Sequence, residues 1–323
     1  MTRWFVPLLA ALAPALFPHA AHAQAWPSKP LKIIVPAQPG GGLDLVGRTV
    51  AEQLGKVFDQ SVVVENVSGG GGQIACQTTA RAAPDGYTLM VGYVGTHGTN
   101  PAVRKVPYDA VKDFTAIAMV GGTPNILVTT PSLPVTDLKS LVAYAKKNGG
   151  KMNYASAGIG TLGHLVMEQF RADAGFDAVA AHYRGIGPGI VDVIAGQAMM
   201  MVPGLAAALP HIKAGKMRPM AITGLKRHPL VPDVPTFDES GYKGYEGLQW
   251  YGILGPAKLP AEITQRLNAE INKSLATPAL QQRLSGEALQ PMPMSPEQFG
   301  RFIQADIARW SKLAAERKIS LDD

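Results

Sequence analysis

Short apolar, β-branched runs alternate along the chain with stretches whose apolar positions recur every three or four residues. Residues 31–35 (Leu-Lys-Ile-Ile-Val) predict a buried strand. Residues 44–58 then place Leu45, Val46, Val50, Leu54 and Val57 at helical spacing. Residues 62–64 and 88–91 predict a second and a third strand. A second set of units begins near Gly121-Gly122-Thr123-Pro124, with strands expected at 126–128, 152–155, 178–181 and 199–202. Helices are expected at 137–147, 161–174, 188–195 and 206–214. This alternation is the pattern of parallel α/β units. Residues 229–235, followed by Gly241, Gly244 and Gly247, mark another break, after which 249–254 and three helices complete the chain. Breaks near residues 122 and 245 divide the chain into three pieces. The outer two can form one lobe and the middle piece another; tandem domains fit the same breaks.

The first 23 residues follow a different rule. Arg3 supplies a positive start, residues 4–17 are almost wholly apolar, and Ala21-His22-Ala23 places small residues before a cut at Gln24. That order is a secretory signal peptide. Pro7, Pro14 and Pro18 interrupt the run, and a spanning helix needs about 20 apolar residues, so an anchor is disfavoured. No cysteine stands at the cut, which favours a soluble periplasmic product over a lipoprotein. The remaining chain suffices for two domains, each with its own core. Lys and Arg total 30 against 24 for Asp and Glu. These basic residues are dispersed, with no block longer than Lys146-Lys147 or Lys226-Arg227-His228, which argues against nucleic acid as a partner. Cys76 is the only cysteine, so no internal disulfide is possible and packing must supply the stability. A monomer is expected.

Three glycine-rich turns follow predicted strands and open helices: Pro39-Gly40-Gly41-Gly42, Ser68 to Gly72, and Ser156-Ala157-Gly158-Ile159-Gly160-Thr161. Such turns suit an anion, because glycine lets a ligand approach the amides and a helix start adds unpaired N–H donors. Glycine also punctuates ordinary strand–helix junctions, so both readings stand. The run from Gly158 to Gly163 matches G-x-G-x-x-G, yet Asp177 opens the next strand where a ribose-binding acid should close it. No cofactor is expected. Ser156 lacks the glycine two residues earlier that a nucleophile elbow needs, since Tyr154 stands there. The histidines at 97, 164, 182, 211 and 228 show no metal-ligand spacing. His164 either faces a bound anion or satisfies a nearby carbonyl. Cys76 is read as structural, Met199-Met200-Met201 as a buried strand, and Trp250-Tyr251 as cleft lining or core. The chain offers binding groups and no reaction, so it is not an enzyme.

Trp26-Pro27-Ser28-Lys29-Pro30-Leu31-Lys32-Ile33-Ile34-Val35-Pro36, with Pro39-Gly40-Gly41 and Asp44, resembles the opening of the Bug receptors, the substrate-binding proteins of tripartite tricarboxylate transporters. The likeness continues through Glu65-Asn66, Pro84-Asp85-Gly86-Tyr87, Pro107-Tyr108-Asp109, Asn153-Tyr154-Ala155-Ser156, Leu209-Pro210-His211 and Val231-Pro232-Asp233-Val234-Pro235-Thr236. The resemblance implies an α/β, two-lobed type II periplasmic binding fold with a hinge, closing like a flytrap over a carboxylate in the interlobe cleft. It implies residues 24–122 with 245–323 as lobe 1 and 123–244 as lobe 2. Main-chain donors at 38–42 should hold one carboxylate, partly through water, and the 156–161 turn with its neighbours should hold the distal end. The implied ligand-binding set is Gln38, Pro39, Gly40, Gly41, Gly42, Asp44, Gly70, Thr96, His97, Ser156, Gly158, Thr161, His164, Arg184 and Pro203. Integral-membrane transporter subunits are the implied partners.

Two departures bear on the ligand. Ala37-Gln38 stands where the family usually carries Phe-Pro or a similar apolar residue, and Pro203 stands where it usually carries an Asp able to pair with a ligand amine. An amine-free dicarboxylate is therefore expected, preferably an aromatic one of the terephthalate type, with aliphatic di- or tricarboxylates second. Two readings outside transport stay open: an orphan receptor presenting the carboxylate to a sensor kinase, and an enzyme using a nucleotide cofactor. Periplasmic material should lack residues 1–23 by intact mass, and a retained Met1 would overturn the export reading.

Overall fold

Residues 26–320 are described by the structure, a computed structural model; the expected leader at 1–23 lies outside the described residues. Strand β1 (Leu31–Val35) forms because its side chains are apolar on both faces, and Leu31, Ile33, Ile34 and Val35 are all buried. Helix α1 (Gly42–Phe58) follows and lays Val46, Val50, Leu54 and Phe58 into the cluster built on Leu31, Ile33 and Val35. Burying side chains of that size contributes about 1.5–3 kcal/mol each before the entropy of ordering them is subtracted. The first part continues with β2 (Val62–Asn66), α2 (Gln73–Ala80), β3 (Thr88–Tyr93), the short α3 (Asn100–Val103) and the long β4 (Phe114–Pro124).

The chain then builds a second unit: β5 (Ile126–Thr129), α4 (Leu138–Lys147), β6 (Asn153–Ser156), α5 (Leu162–Ala174), β7 (Val179–His182), α6 (Ile186–Ile194), β8 (Met200–Met201), α7 (Leu205–Lys213) and β9 (Arg218–Ile222). It returns to the first through β10 (Leu248–Pro256), α8 (Ala261–Leu275), α9 (Pro278–Gly286), β11 (Gln290–Pro291) and α10 (Pro296–Arg317). Two sheets result. The first runs β11-β4-β10-β3-β1-β2 and the second β7-β6-β8-β5-β9. In the first, β1 is parallel to β2 and β3, while β10 is antiparallel to β3 and β4. In the second, β6 is parallel to β7 and β8, and β5 antiparallel to β8 and β9. The protein is thus two lobes of α/β structure. No helix among the described residues is long and apolar enough to cross a membrane.

One reading of the sequence needs correction. Gly121-Gly122 marks no break; both lie inside β4, which carries the chain straight through to Pro124. These glycines answer a packing demand. A Cβ on Gly121 would collide with the Gln290 carbonyl on β11, and one on Gly122 with the Leu248 side chain on β10. The crossing itself comes at Asn125, one residue before β5. The Arg218–Ile222 strand also went unpredicted; it lies at a sheet edge, where Pro219 is tolerated.

Helix α10 packs against α3, α5 and β4, so it spans both lobes behind the crossing strands. There the wholly buried Trp250 of β10 donates its indole N–H to Asp306 Oδ2 of α10 at 2.8 Å. Burial pushes the Asp306 carboxyl up to about 6, against the opposing pull of that hydrogen bond. The native state therefore binds the proton more tightly than the unfolded chain. Stability from this group is complete below its ordinary value of 3.8 and is lost as pH rises toward 6. Asp306→Asn should flatten that dependence and stabilise the protein at about pH 7.5 by up to about 3 kcal/mol. Urea unfolding of both proteins at about pH 4.5 and 7.5 measures the difference; equal pH dependence in the two would refute the assignment.

Candidate functional site

Loops at the carboxyl ends of strands from both sheets meet in one cleft, the usual place for a ligand in an α/β protein. The cleft has two compartments that share Ile186, Gly204 and Gln249. The inner one, about 200 Å³, is lined by Gly71, Tyr93 and Arg104 from the first lobe and by Ser156, Thr161 and Val202 from the second, with Asn125 between them. The outer one, about 410 Å³, is lined by Gly40, Gly41, Gly42, Thr123, Tyr251 and Leu289.

Four helices begin at this cleft. Helix α1 starts after Gly41, α5 after Thr161, α6 with Ile186 and α7 after Gly204, and none has a side-chain cap. Each start presents unpaired N–H groups and the positive end of a dipole. Their convergence makes the cavity favourable to anions without requiring a basic residue at each turn.

The turns are braced from behind. Gly40 adopts φ 92°, a conformation that suits glycine, and its amide donates to Asp44 Oδ2 at 2.9 Å. Asp44 also accepts from Arg48 Nε at 2.9 Å and Asn66 Nδ2 at 3.0 Å. The Arg48 guanidinium, helped by the Gly40 amide and Asn66, holds its carboxyl below the usual range despite burial. Asp44 is buried, lines neither compartment and acts on the turn. In the second lobe, Ser156 Oγ donates to the Gly158 carbonyl at 2.9 Å and Thr161 Oγ1 to the same oxygen at 2.8 Å. Both hydroxyl hydrogens, expected to reach a ligand, are thus directed into the turn. His164 Nδ1 accepts the Gly160 amide at 3.1 Å, and burial pulls its pKa down to about 4. It satisfies an N–H group and supplies no charge.

Of the expected set, Gly40, Gly41 and Gly42 line the outer compartment and Ser156 and Thr161 the inner one. Gly71 takes the place expected of Gly70, and Val202 and Gly204 that of Pro203, whose carbonyl accepts the Ile126 amide at 2.9 Å. Gln38 and Pro39 are exposed, and Gln38 Nε2 donates to Ser68 Oγ at 2.6 Å. Thr96 and His97 are buried behind the cleft. His97 packs edge-on to Phe114 with centroids 4.6 Å apart, and burial holds its pKa down to about 3. Gly158 lines neither compartment, and Arg184 is exposed beyond β7 and lines neither. Of the aromatic pair, Trp250 is core and Tyr251 lines the cleft. Reading the sequence missed Arg104, Asn125 and Gln249. A polar residue interrupting an apolar strand run was the available signal for Asn125 and Gln249; for Arg104 there was none.

Residues 46–319 match the family described as the tripartite tricarboxylate transporter family receptor. The chain belongs to that family. It is 33% identical to a UPF0065 protein from the tcbD-tcbE intergenic region of Pseudomonas sp. (strain P51), over 97% of this chain and 94% of the relative. Protein BugT of Bordetella pertussis is 31% identical over 98% of both chains. Among solved structures, an R. palustris protein with adipate is 34% identical with a TM-score of 0.84, covering 91% of this chain and 99% of that one. A protein of Rhodopseudomonas palustris with bound malate is 30% identical with a TM-score of 0.79, covering 89% and 99%. As a member of this family the protein is a solute-binding receptor rather than an enzyme. A Cβ on Gly41 meets nothing within 4 Å and its φ of −95° is open to any residue, so Gly41→Val should fold while crowding the α1 amides. Calorimetry should then show carboxylate binding weakened at least tenfold, about 1.4 kcal/mol; unchanged affinity would exclude these amides from the contact.

Proposed function

We propose that this receptor captures an amine-free dicarboxylate in the periplasm and delivers it to the membrane subunits of a tripartite tricarboxylate-type transporter. The observation that carries this reading is the convergence of four uncapped helix starts on one interlobe cleft. A ligand amine would need a carboxylate to pair with, and among the described residues no acid lines the inner compartment. Glu287, on the outer compartment, is exposed to water. Ile186 and Val202 give the inner compartment an apolar wall, and Tyr251 and Leu289 do the same for the outer. That wall suits the hydrocarbon body of a chain or ring diacid. Relatives solved with adipate and malate support a ligand with two carboxylates. Contacts from both lobes would let such a ligand favour the closed form.

A thermal-shift panel of terephthalate, adipate and malate against glutamate tests the reading. A ligand at 100 times its dissociation constant adds about 2.7 kcal/mol of stability. The amine-free diacids should raise the melting temperature and glutamate should not. A shift with glutamate alone would sink the ligand assignment, and deletion that leaves uptake of the bound diacid intact would sink the transport role.

A further inference from the structure

We infer that Arg104 anchors one carboxylate at the inner end of the cleft, and that its charge makes the receptor prefer dianions to matched monoanions. The inference deepens the proposed function and rests on the cleft being the carboxylate site.

Arg104 follows α3 in an extended conformation, with its amide on the Asn100 carbonyl at 3.1 Å. Asn100 Nδ2 in turn donates to the Gly71 carbonyl at 2.9 Å, tying the glycine turn to the first residue of the helix that leads into Arg104. Gly71 has φ 66°, and a Cβ there would lie 3.8 Å from Arg104 Nη1. Among the described residues Arg104 is the one charged group lining the inner compartment.

Among the described residues Arg104 also has no counter-ion. Its Nε is fully buried with no hydrogen-bond partner among the described residues, and no described carboxylate comes within ion-pair distance. The open cavity on its other side is lined by Lys105 and Lys318 and by no acid among the described residues. Neighbouring groups cannot become anions at working pH: burial pushes the Tyr93 phenol up to about 12 and raises the Tyr108 phenol as well. A half-buried cation with unmet donors is costly, and native proteins seldom leave one. A ligand carboxylate resolves this, because it matches the guanidinium fork with two charge-assisted bonds. The remaining donors of the cleft are neutral amides and hydroxyls, which would serve the second carboxylate.

Two probe pairs read the charge separately from shape: adipate against hexanoate, and terephthalate against 4-methylbenzoate. Calorimetry on the wild type, Arg104→Gln and Arg104→Lys should show at least one diacid binding the wild type tenfold or more tightly than its monoacid partner. Arg104→Gln should reduce that ratio below about threefold, and Arg104→Lys should retain part of it. A residue that only supported the fold would weaken both members of a pair together, leaving the ratio intact. A wild-type ratio near one, or a ratio unchanged in Arg104→Gln, overturns the assignment. If Arg104→Gln does not fold, Arg104→Lys decides, since full retention of the ratio and its affinities would show that the guanidinium fork is not the contact. If no acid binds the wild type at all, the carboxylate reading falls first and takes the anchor with it.

Discussion

Strands β4 and β10 lie antiparallel from Phe114 opposite Pro256 to Pro124 opposite Leu248, and the rest of the molecule depends on that pairing. Both strands reach the boundary of the second lobe at the same end, so the two chain crossings run side by side. Close approach is enforced along them: a Cβ on Gly252 would collide with the Phe299 ring, just as Gly122 must yield to Leu248. One apolar cluster then runs from Ile34 and Met90 through Trp250 and Trp310 to Leu162, Val166 and Phe170. The lobes are thus joined by packed core, and at the tip of the paired strands Asn125 and Gln249 turn polar side chains toward the cleft.

The cleft is made by withholding hydrogen bonds. Helices α4 and α10 carry full capping boxes, Asp137 with Ser140 and Ser295 with Gln298. The four helices that open on the cleft carry none, forgoing about 1 kcal/mol apiece. Uncapped starts also occur at α8 and α9, so it is convergence, not the missing cap, that sets the cleft apart. Backbone strain and side-chain hydroxyls are instead spent on the turns themselves, as with Gly40 on Asp44 and Ser156 on Gly158.

Local periodicity explains what could be read in advance. Strand β1, the apolar face of α1 and the start of α4 at Asp137 all follow from residues within a few positions of one another. Gly121-Gly122 failed because a glycine required by a neighbouring strand looks the same in sequence as one required by a turn. At the site, the three turns were legible and the side chains mostly were not. Ser156 and Thr161 do line the cleft, but the Gly158 carbonyl competes for their hydrogens at a distance no pattern discloses. Arg104 comes to the cleft only through the packing of α3 beside the Gly71 turn, a juxtaposition set by tertiary structure.

The placement of tryptophan has an optical consequence. The described residues hold Trp26, Trp250 and Trp310, and none stands between β5 and β9 or lines either compartment of the cleft. Two of them lie in the core that joins the lobes, with the Trp250 indole bonded to Asp306. Tryptophan fluorescence therefore views the joint and the ionisation of one buried carboxyl, while an occupant of the cleft stays out of direct contact with every described tryptophan. An emission spectrum that does not change on adding a solute is compatible with a filled receptor.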